Sequence, residues 1–305
     1  MGAIQAQDLG APYGALHARL ETFRRDALDR ALERRLVVKA TLMRGTLHIV
    51  SARDYPPFVT ALQSSLTRQY AGVRLRDAPD THVDALAQRA LAFAAEPRTN
   101  AELAAHLGGL DEWFRARFHA PFVVVPPFER RPRIVAAQAW LDFEPPAREE
   151  ALARLVRRYL ASFGPATAKD AARWARLSLS TIRAGLERVR TIDLGDGYVD
   201  LTRAPRPGNV SAPPRLLPLF DLLLLGHDDR TRVVPREYAQ AINEGGGMIL
   251  RSFLVDGVVA GLWRTAGETL ELSPFAPLPR VARRELEDEA RRTAAFVGAA
   301  RVRFA

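Results

Sequence analysis

Cysteine is absent from the 305-residue chain, which removes disulfides, thiolate nucleophiles and Cys-based zinc sites together. Lysine is nearly absent: Lys39 and Lys169 are the only two among 44 basic residues, and the rest are arginine. Guanidinium forks bind phosphate in a bidentate way, although the codon bias of a GC-rich genome yields the same ratio. The sign of the net charge, +9, is the firmer pointer, because a basic surface attracts nucleic acid or acidic membrane whatever its codons. Long apolar runs are missing as well. Nothing approaches the ~18 residues of a membrane span, and the run Leu222–Leu225 ends at Gly226 and His227. Met1-Gly2-Ala3-Ile4-Gln5 lacks the basic patch and apolar core of a signal peptide, and Ala6 stands where a myristoylation motif needs Ser or Thr. A cytoplasmic location is expected. Histidines are few and scattered (His17, His48, His82, His106, His119, His227), so no metal site is expected.

What is present is a recurring rhythm of helix, polar turn, helix and short strands. The first segment with its connector, 1–78, has helical spacing from Pro12 to Leu20. A second helix follows with Leu28, Leu32 and Leu36 four residues apart. Strands Leu36–Ala40 and Thr46–Val50 then flank an Arg44-Gly45 turn. The second segment, 79–146, opens near Thr81 with a helix Val83–Ala95 that Pro97 ends. Thr99 and Glu102 form a capping box for a helix that stops at Gly108-Gly109. The next helix carries Trp113, Phe114 and Phe118 for the core beside Arg115 and Arg117, and strands 122–125 and 133–136 follow.

The third segment, 147–204, has a helix Glu149–Ser162 broken at Gly164-Pro165 and a short helix from a Thr167 cap to Trp174. A helix Thr181–Arg188 capped by Ser180 follows, then strands Thr191–Leu194 and Tyr198–Leu201 around Gly195-Asp196-Gly197. After the Pro- and Gly-rich linker Ala204–Pro214, the part 205–305 reads as strands Met248–Val255, Val258–Trp263 and Thr269–Leu272 and a helix Pro279–Val297. Helix, helix, hairpin is the order of a winged helix-turn-helix. The expected fold is therefore α+β: tandem winged helix-turn-helix units followed by a β-rich α+β C-terminal domain. On the third unit the recognition helix would expose Arg183, Glu187 and Arg188, with Arg190 just beyond. Such arginines pair with phosphate or guanine edges, and Arg44, Arg115 and Arg117 are candidates of the same kind. A solvated helix face is the competing reading for those on helices.

Four stretches spread along the chain carry a resemblance: Ile4-Gln5-Ala6-Gln7; Met43-Arg44-Gly45-Thr46-Leu47-His48-Ile49-Val50; Gly164-Pro165-Ala166-Thr167; and Leu217 through Arg230. Together they resemble the winged-helix DNA-binding family that contains the AlkZ-like glycosylases, over nearly the whole chain and most specifically at 44–50 and 220–230. The resemblance implies tandem winged helices around a DNA channel and a β-rich C-terminal domain. Some members excise alkylated bases and unhook interstrand crosslinks, and their Gln-x-Gln/Asp catalytic motif falls on Gln5 and Gln7. It also brings the loop after Leu225 near the channel, where His227 and Arg230 would contact the backbone, with a salt-bridged turn as the alternative. Two departures stand out. The motif starts four residues after Met1, where the family has a helix or more before it, so the first unit would lack its opening helix. The residue between the glutamines is Ala6, smaller than the aliphatic side chain of proven enzymes.

The implied chemistry suits weak groups. An N7-alkylated purine is already cationic and leaves without protonation. The enzyme must mainly hold a water near C1′ and tolerate positive charge on the sugar, and a glutamine carbonyl can do both. Asp8 would be a stronger base if it faced the same place, but its leading reading is an N-terminal helix cap. The resulting expectation is a monofunctional DNA glycosylase acting on alkylated or crosslinked purines. The alternatives are a non-catalytic winged-helix DNA-binding protein or transcriptional regulator, and a scaffold whose winged helices bind protein. Double-stranded DNA is the expected partner, with no membrane, no small-molecule cofactor and no metal, and the chain is expected to be a monomer.

Overall fold

The computed structural model describes residues 1–74, 83–128, 131–208, 210–245 and 247–305, with the backbone alone for 70–74. The expected opening of the second segment near Thr81, the 78/79 boundary and His82 lie outside the described residues. Along the chain come β1 (Ile4–Gln5), α1 (Ala11–His17), α2 (Arg25–Glu33), β2 (Val37–Thr41), β3 (Leu47–Ser51), α3 (Tyr55–Arg74) and α4 (Val83–Phe93). Next are β4 (Arg98–Thr99), α5 (Asn100–Leu107), α6 (Leu110–His119), β5 (Phe122–Val125), β6 (Arg133–Ala136) and α7 (Ala137–Trp140). Then come α8 (Arg148–Phe163), β7 (Ala166–Thr167), α9 (Ala168–Ala175), α10 (Leu179–Leu186), β8 (Thr191–Asp193) and β9 (Tyr198–Leu201). Last are β10 (Arg215–Leu217), β11 (Ser252–Val255), β12 (Val258–Ala266), β13 (Thr269–Pro274), α11 (Arg280–Val297) and β14 (Arg301–Phe304). The fold is mixed helix and sheet, and no helix of the described residues is long and apolar enough to cross a membrane.

The chain divides into two compact units, 1–6 with 26–204 and 7–25 with 205–305. In the first unit a six-stranded sheet runs β1-β3-β2-β5-β6-β4. The hairpins of the first two segments merge in it, because β2 pairs with β5 through Lys39↔Val124 and Ala40↔Val123. A core of Leu86, Ala90, Leu103, Leu107, Trp113, Phe122 and Ile134 lies against this sheet. Trp113 is fully buried, and its indole N–H donates to Asn100 Oδ1 at 2.8 Å, so burial leaves no polar atom orphaned. Both expected capping boxes are present, Thr99 with Glu102 and Thr167 with Asp170. Each satisfies two helix-end donors, and loss of a threonine cap costs about 1 kcal/mol.

The twenty-residue α3 was not legible as a helix and stood only as connector. Tyr55, Phe58, Val59, Leu62 and Leu66 are buried at helical spacing, and Pro56-Pro57 open the segment. They sit in the first turn, where a missing N–H costs nothing. Phe58 and Tyr159 both meet the ring of Trp174, at 6.3 and 5.2 Å, which ties α3, α8 and α9 together. The buried carboxylate of Asp54, just before α3, takes ion pairs from Arg154 and Arg158 at 2.7 and 2.9 Å. Between α8 and β7, Gly164 is required by close approach: a Cβ there would collide with the Asp200 carboxylate and the Leu160 carbonyl.

Several expectations need correcting. The cap of α10 is Ser178, whose side chain accepts from Thr181 N–H, rather than Ser180, and the helix runs Leu179–Leu186. Arg188 therefore lies past its end. Leu36 lies beyond α2 and is 60% exposed instead of extending its apolar face. The N-terminal run, polar in composition, opens with strand β1, on which Gln5 is buried.

In the second unit a five-stranded sheet runs β10-β11-β12-β13-β14, antiparallel except for the β13–β14 pair. Leu286, Ala290 and Ala294 of α11 pack on Leu216, Phe253, Trp263, Leu270 and Leu272. A second core joins Ala18, Leu217, Leu224, Val233, Val234, Ile242 and Ile249. Asp221 is buried there and accepts both guanidinium nitrogens of Arg19, at 2.8 and 2.6 Å. Its Oδ1 also accepts the N–H of Leu223. That cap turns Leu222–Leu224 into a 3-10 turn.

Candidate active site

Strand β1 is two residues long and is held by its neighbours rather than by its length. It pairs antiparallel with β3, placing Gln5 directly across from His48, and Ala6 N–H donates to Leu47 O at 2.7 Å. Ala3 and Ala6, both buried, are small enough to seat the strand. Gln5 itself is 6% exposed. Its Oε1 accepts from Arg44 Nη2 at 3.0 Å, while Arg44 Nη1 donates to the carbonyl of Trp174 at 3.0 Å.

Arg44 owes this reach to its backbone. It occupies the turn between β2 and β3 with φ 57° and ψ 16°, a left-handed conformation uncommon for a residue with a Cβ. Gly45 follows with φ +71°, and a Cβ there would press on the Phe118 ring at 3.0 Å. Burial, then the charge of Arg173, lowers the Arg44 pKa to about 10, so the guanidinium stays charged at neutral pH. His48, fully buried, lies 2.9 Å through Nδ1 from Thr46 O. A carbonyl only accepts, so Nδ1 carries the hydrogen and Nε2 is left as an acceptor without a partner. Burial first, and then Arg44, pushes the His48 pKa down to about 3 against the opposing bond to Thr46. A neutral imidazole, a neutral amide and one fixed guanidinium thus meet at β1. Neither His48 nor Gln5 is a strong base at neutral pH.

The other expected site residues fall into two groups. Gln7 is exposed and belongs to the second unit, the division falling between Ala6 and Gln7. Asp8 caps α1, its Oδ1 accepting from Gly10 and Ala11 N–H at 3.0 and 2.8 Å. Arg183 on α10, and Arg188 and Arg190 beyond it, are exposed, as is Glu187. By contrast, Arg117 points its Nε at Thr41 Oγ1, 3.3 Å away, and burial lowers its pKa to about 10. Arg115 is half-buried and pairs loosely with Glu112 at 3.8 Å. His227 is buried with Nε2 3.2 Å from Arg232 Nη1, and Arg230 is half-buried. Sequence reasoning treated these arginines as equivalent. No local signal separated those on the β2–β3 turn and the inner face of α6 from those on α10. His48 was missed as a member of the site, and only its pairing across from Gln5 reveals it.

A mixed helix-and-sheet chain with a buried amide beside a basic turn defines a class before it defines a member. The family model for AlkZ-like DNA glycosylases matches residues 1–296, and the chain belongs to that family. A curated relative, the interstrand DNA cross-link repair glycosylase of Streptomyces sahachiroi, is 26% identical over 322 residues, covering 91% of this chain and 84% of the relative. The solved structure of the Streptomyces sahachiroi DNA glycosylase AlkZ superposes with a TM-score of 0.82 at 21% identity. It covers 99% of this chain and 91% of that one, a likeness of fold.

Proposed function

We propose that this glycosylase excises alkylated or crosslinked purines from double-stranded DNA, with Gln5 and Gln7 as the catalytic pair. The observation that carries the reading is the anchored amide. Arg44 occupies one lone pair of Gln5 Oε1, and a carbonyl oxygen has two. The second is left to orient a water toward C1′, and its partial negative charge favours an oxocarbenium-like sugar. A cationic N7-alkylpurine needs no acid to leave, which agrees with the absence of a strong acid or base from the Gln5 and His48 pair. Arg44 is then a positioning residue, and phosphate contact falls to Arg183, Arg188, Arg190 and Arg230. The relative's crosslink repair supports crosslinked purines as substrates for this chain.

In this reading the segments ending at 78, 146 and 204 are winged-helix units, with α10 as the recognition helix of the third and 205–305 as a C-terminal domain. The protein works as a cytoplasmic monomer without metal or cofactor. Purified protein incubated with a duplex containing N7-methylguanine or a nitrogen-mustard crosslink should release the base or unhook the strands, as followed by chromatography and denaturing gels. Tight, salt-sensitive binding of the same duplexes with no base released would leave the non-catalytic DNA-binding reading in its place, which the exposed arginines around α10 also suit.

A further inference from the structure

The second unit contains a cavity of about 270 Å³ whose wall includes neither Gln5 nor Gln7. That size lies just below the range of small-molecule sites, roughly 300–1,000 Å³, and suits a group of a few heavy atoms. Two polar side chains on its wall are buried without a hydrogen-bond partner: Thr293 at Oγ1 and His17 at Nε2. They are 3% and 7% exposed, whereas buried polar groups nearly always find a partner. The state of His17 follows from its other nitrogen. Arg292 Nη1 lies 3.3 Å from Nδ1, and a guanidinium only donates, so Nδ1 accepts and Nε2 carries the hydrogen. Burial, then Arg292, Arg25 and Arg215, holds the ring pKa down at about 4, so it is neutral near pH 7. The wall therefore offers an N–H and a hydroxyl, both suited to an acceptor.

Charge on the same wall points to the kind of acceptor. Arg25 lies over the Phe296 ring at 4.6 Å, and Arg251 over the Trp263 ring at 5.3 Å. Both rings also line the cavity, so the two guanidiniums are fixed in place by its own aromatic residues. Asp8, also on the wall, already accepts two backbone N–H groups at the start of α1.

We propose that this cavity is an oxyanion site, in which a phosphate or carboxylate group is held by Arg25 and Arg251 and accepts hydrogen bonds from Thr293 Oγ1 and His17 Nε2. The group arrives on a free small molecule or as a phosphate of the DNA backbone, and the recognising chemistry is the same. Full-length protein titrated with inorganic phosphate at constant ionic strength, against chloride, should show a saturable rise in Tm and broadening of the phosphorus resonance. Arg251→Gln should weaken binding about tenfold and Thr293→Val several-fold. Arg25→Gln, at an exposed position, serves if the buried variant fails to fold. Phosphate acting no differently from chloride, or Arg25→Gln and Arg251→Gln binding as tightly as the unaltered protein, overturns the proposal. Adding undamaged duplex distinguishes the sources: displacement of phosphate assigns the site to the backbone, and retained phosphate to a free molecule. Gln5→Ala should leave phosphate binding unchanged, so failure of this site and failure of the excision reading are separable.

Discussion

Arg44 and Arg183 lie in the same unit and carry the same charge, yet their surroundings give them different work. Arg44 sits on a left-handed turn, half-buried, with both terminal nitrogens committed to carbonyl oxygens of Gln5 and Trp174. Arg183 stands on an eight-residue helix with its side chain in solvent, followed by exposed Arg188 and Arg190. A buried guanidinium is held by its acceptors and fixes geometry, whereas an exposed one is screened by salt and acts through long-range attraction. Excess arginine in a sequence therefore covers two environments that composition alone cannot separate.

The comparison can be broken most decisively at Gln5. Replacing it with Ala should lower single-turnover base release about 100-fold while leaving duplex affinity unchanged; equal excision by variant and parent would remove the amide from the mechanism. Next in size is Arg44→Met, which strands the carbonyls of Gln5 and Trp174. It should cost about 2 kcal/mol in urea unfolding as well as activity, and Arg44→Lys should restore part of each. If Arg44 were only a phosphate contact, stability would hold and affinity alone would fall.

An effect confined to acid pH concerns His48. Its folded pKa lies below the ordinary 6.5, so the unfolded chain takes up the proton first as pH falls. The stability this neutral ring contributes is full above about pH 6.5 and is lost as pH drops toward 3, at on the order of 1 kcal/mol per pH unit. His48→Asn, which keeps a donor for Thr46 O, should flatten that acid limb, with His17 supplying what remains. An unchanged limb would show that the ring is solvated. The least effect on the fold is expected from Arg183→Gln, Arg188→Gln and Arg190→Gln combined. Stability should stay within about 0.5 kcal/mol, while the salt dependence of duplex binding loses about one unit of slope per residue. Unfolding caused by these changes would place them with Arg44 instead.

Local elements were readable where a residue's role is set by its neighbours in the chain. The Thr99 and Thr167 capping boxes, the Gly108 stop and the hairpin around Gly195-Asp196-Gly197 all lie where spacing and turn chemistry put them. β14 escaped notice because a four-residue parallel edge strand has no turn to announce it. β1 escaped because two glutamines near a chain start look like loop. Of the proposed site, Gln5 stood out through its motif and Arg44, as a candidate DNA contact, through its sign of charge; the bond between the two was not legible.

By itself, then, the order of residues determined most of the helices, the capping boxes and hairpins, the basic character and the family resemblance, since all of these depend on contacts within a few positions or on composition. Only the tertiary structure decided which arginines face inward. The bond from Arg44 spans 39 positions to Gln5 and 130 to Trp174, and burial of a charged group is settled by which distant acceptors the packed chain brings within reach.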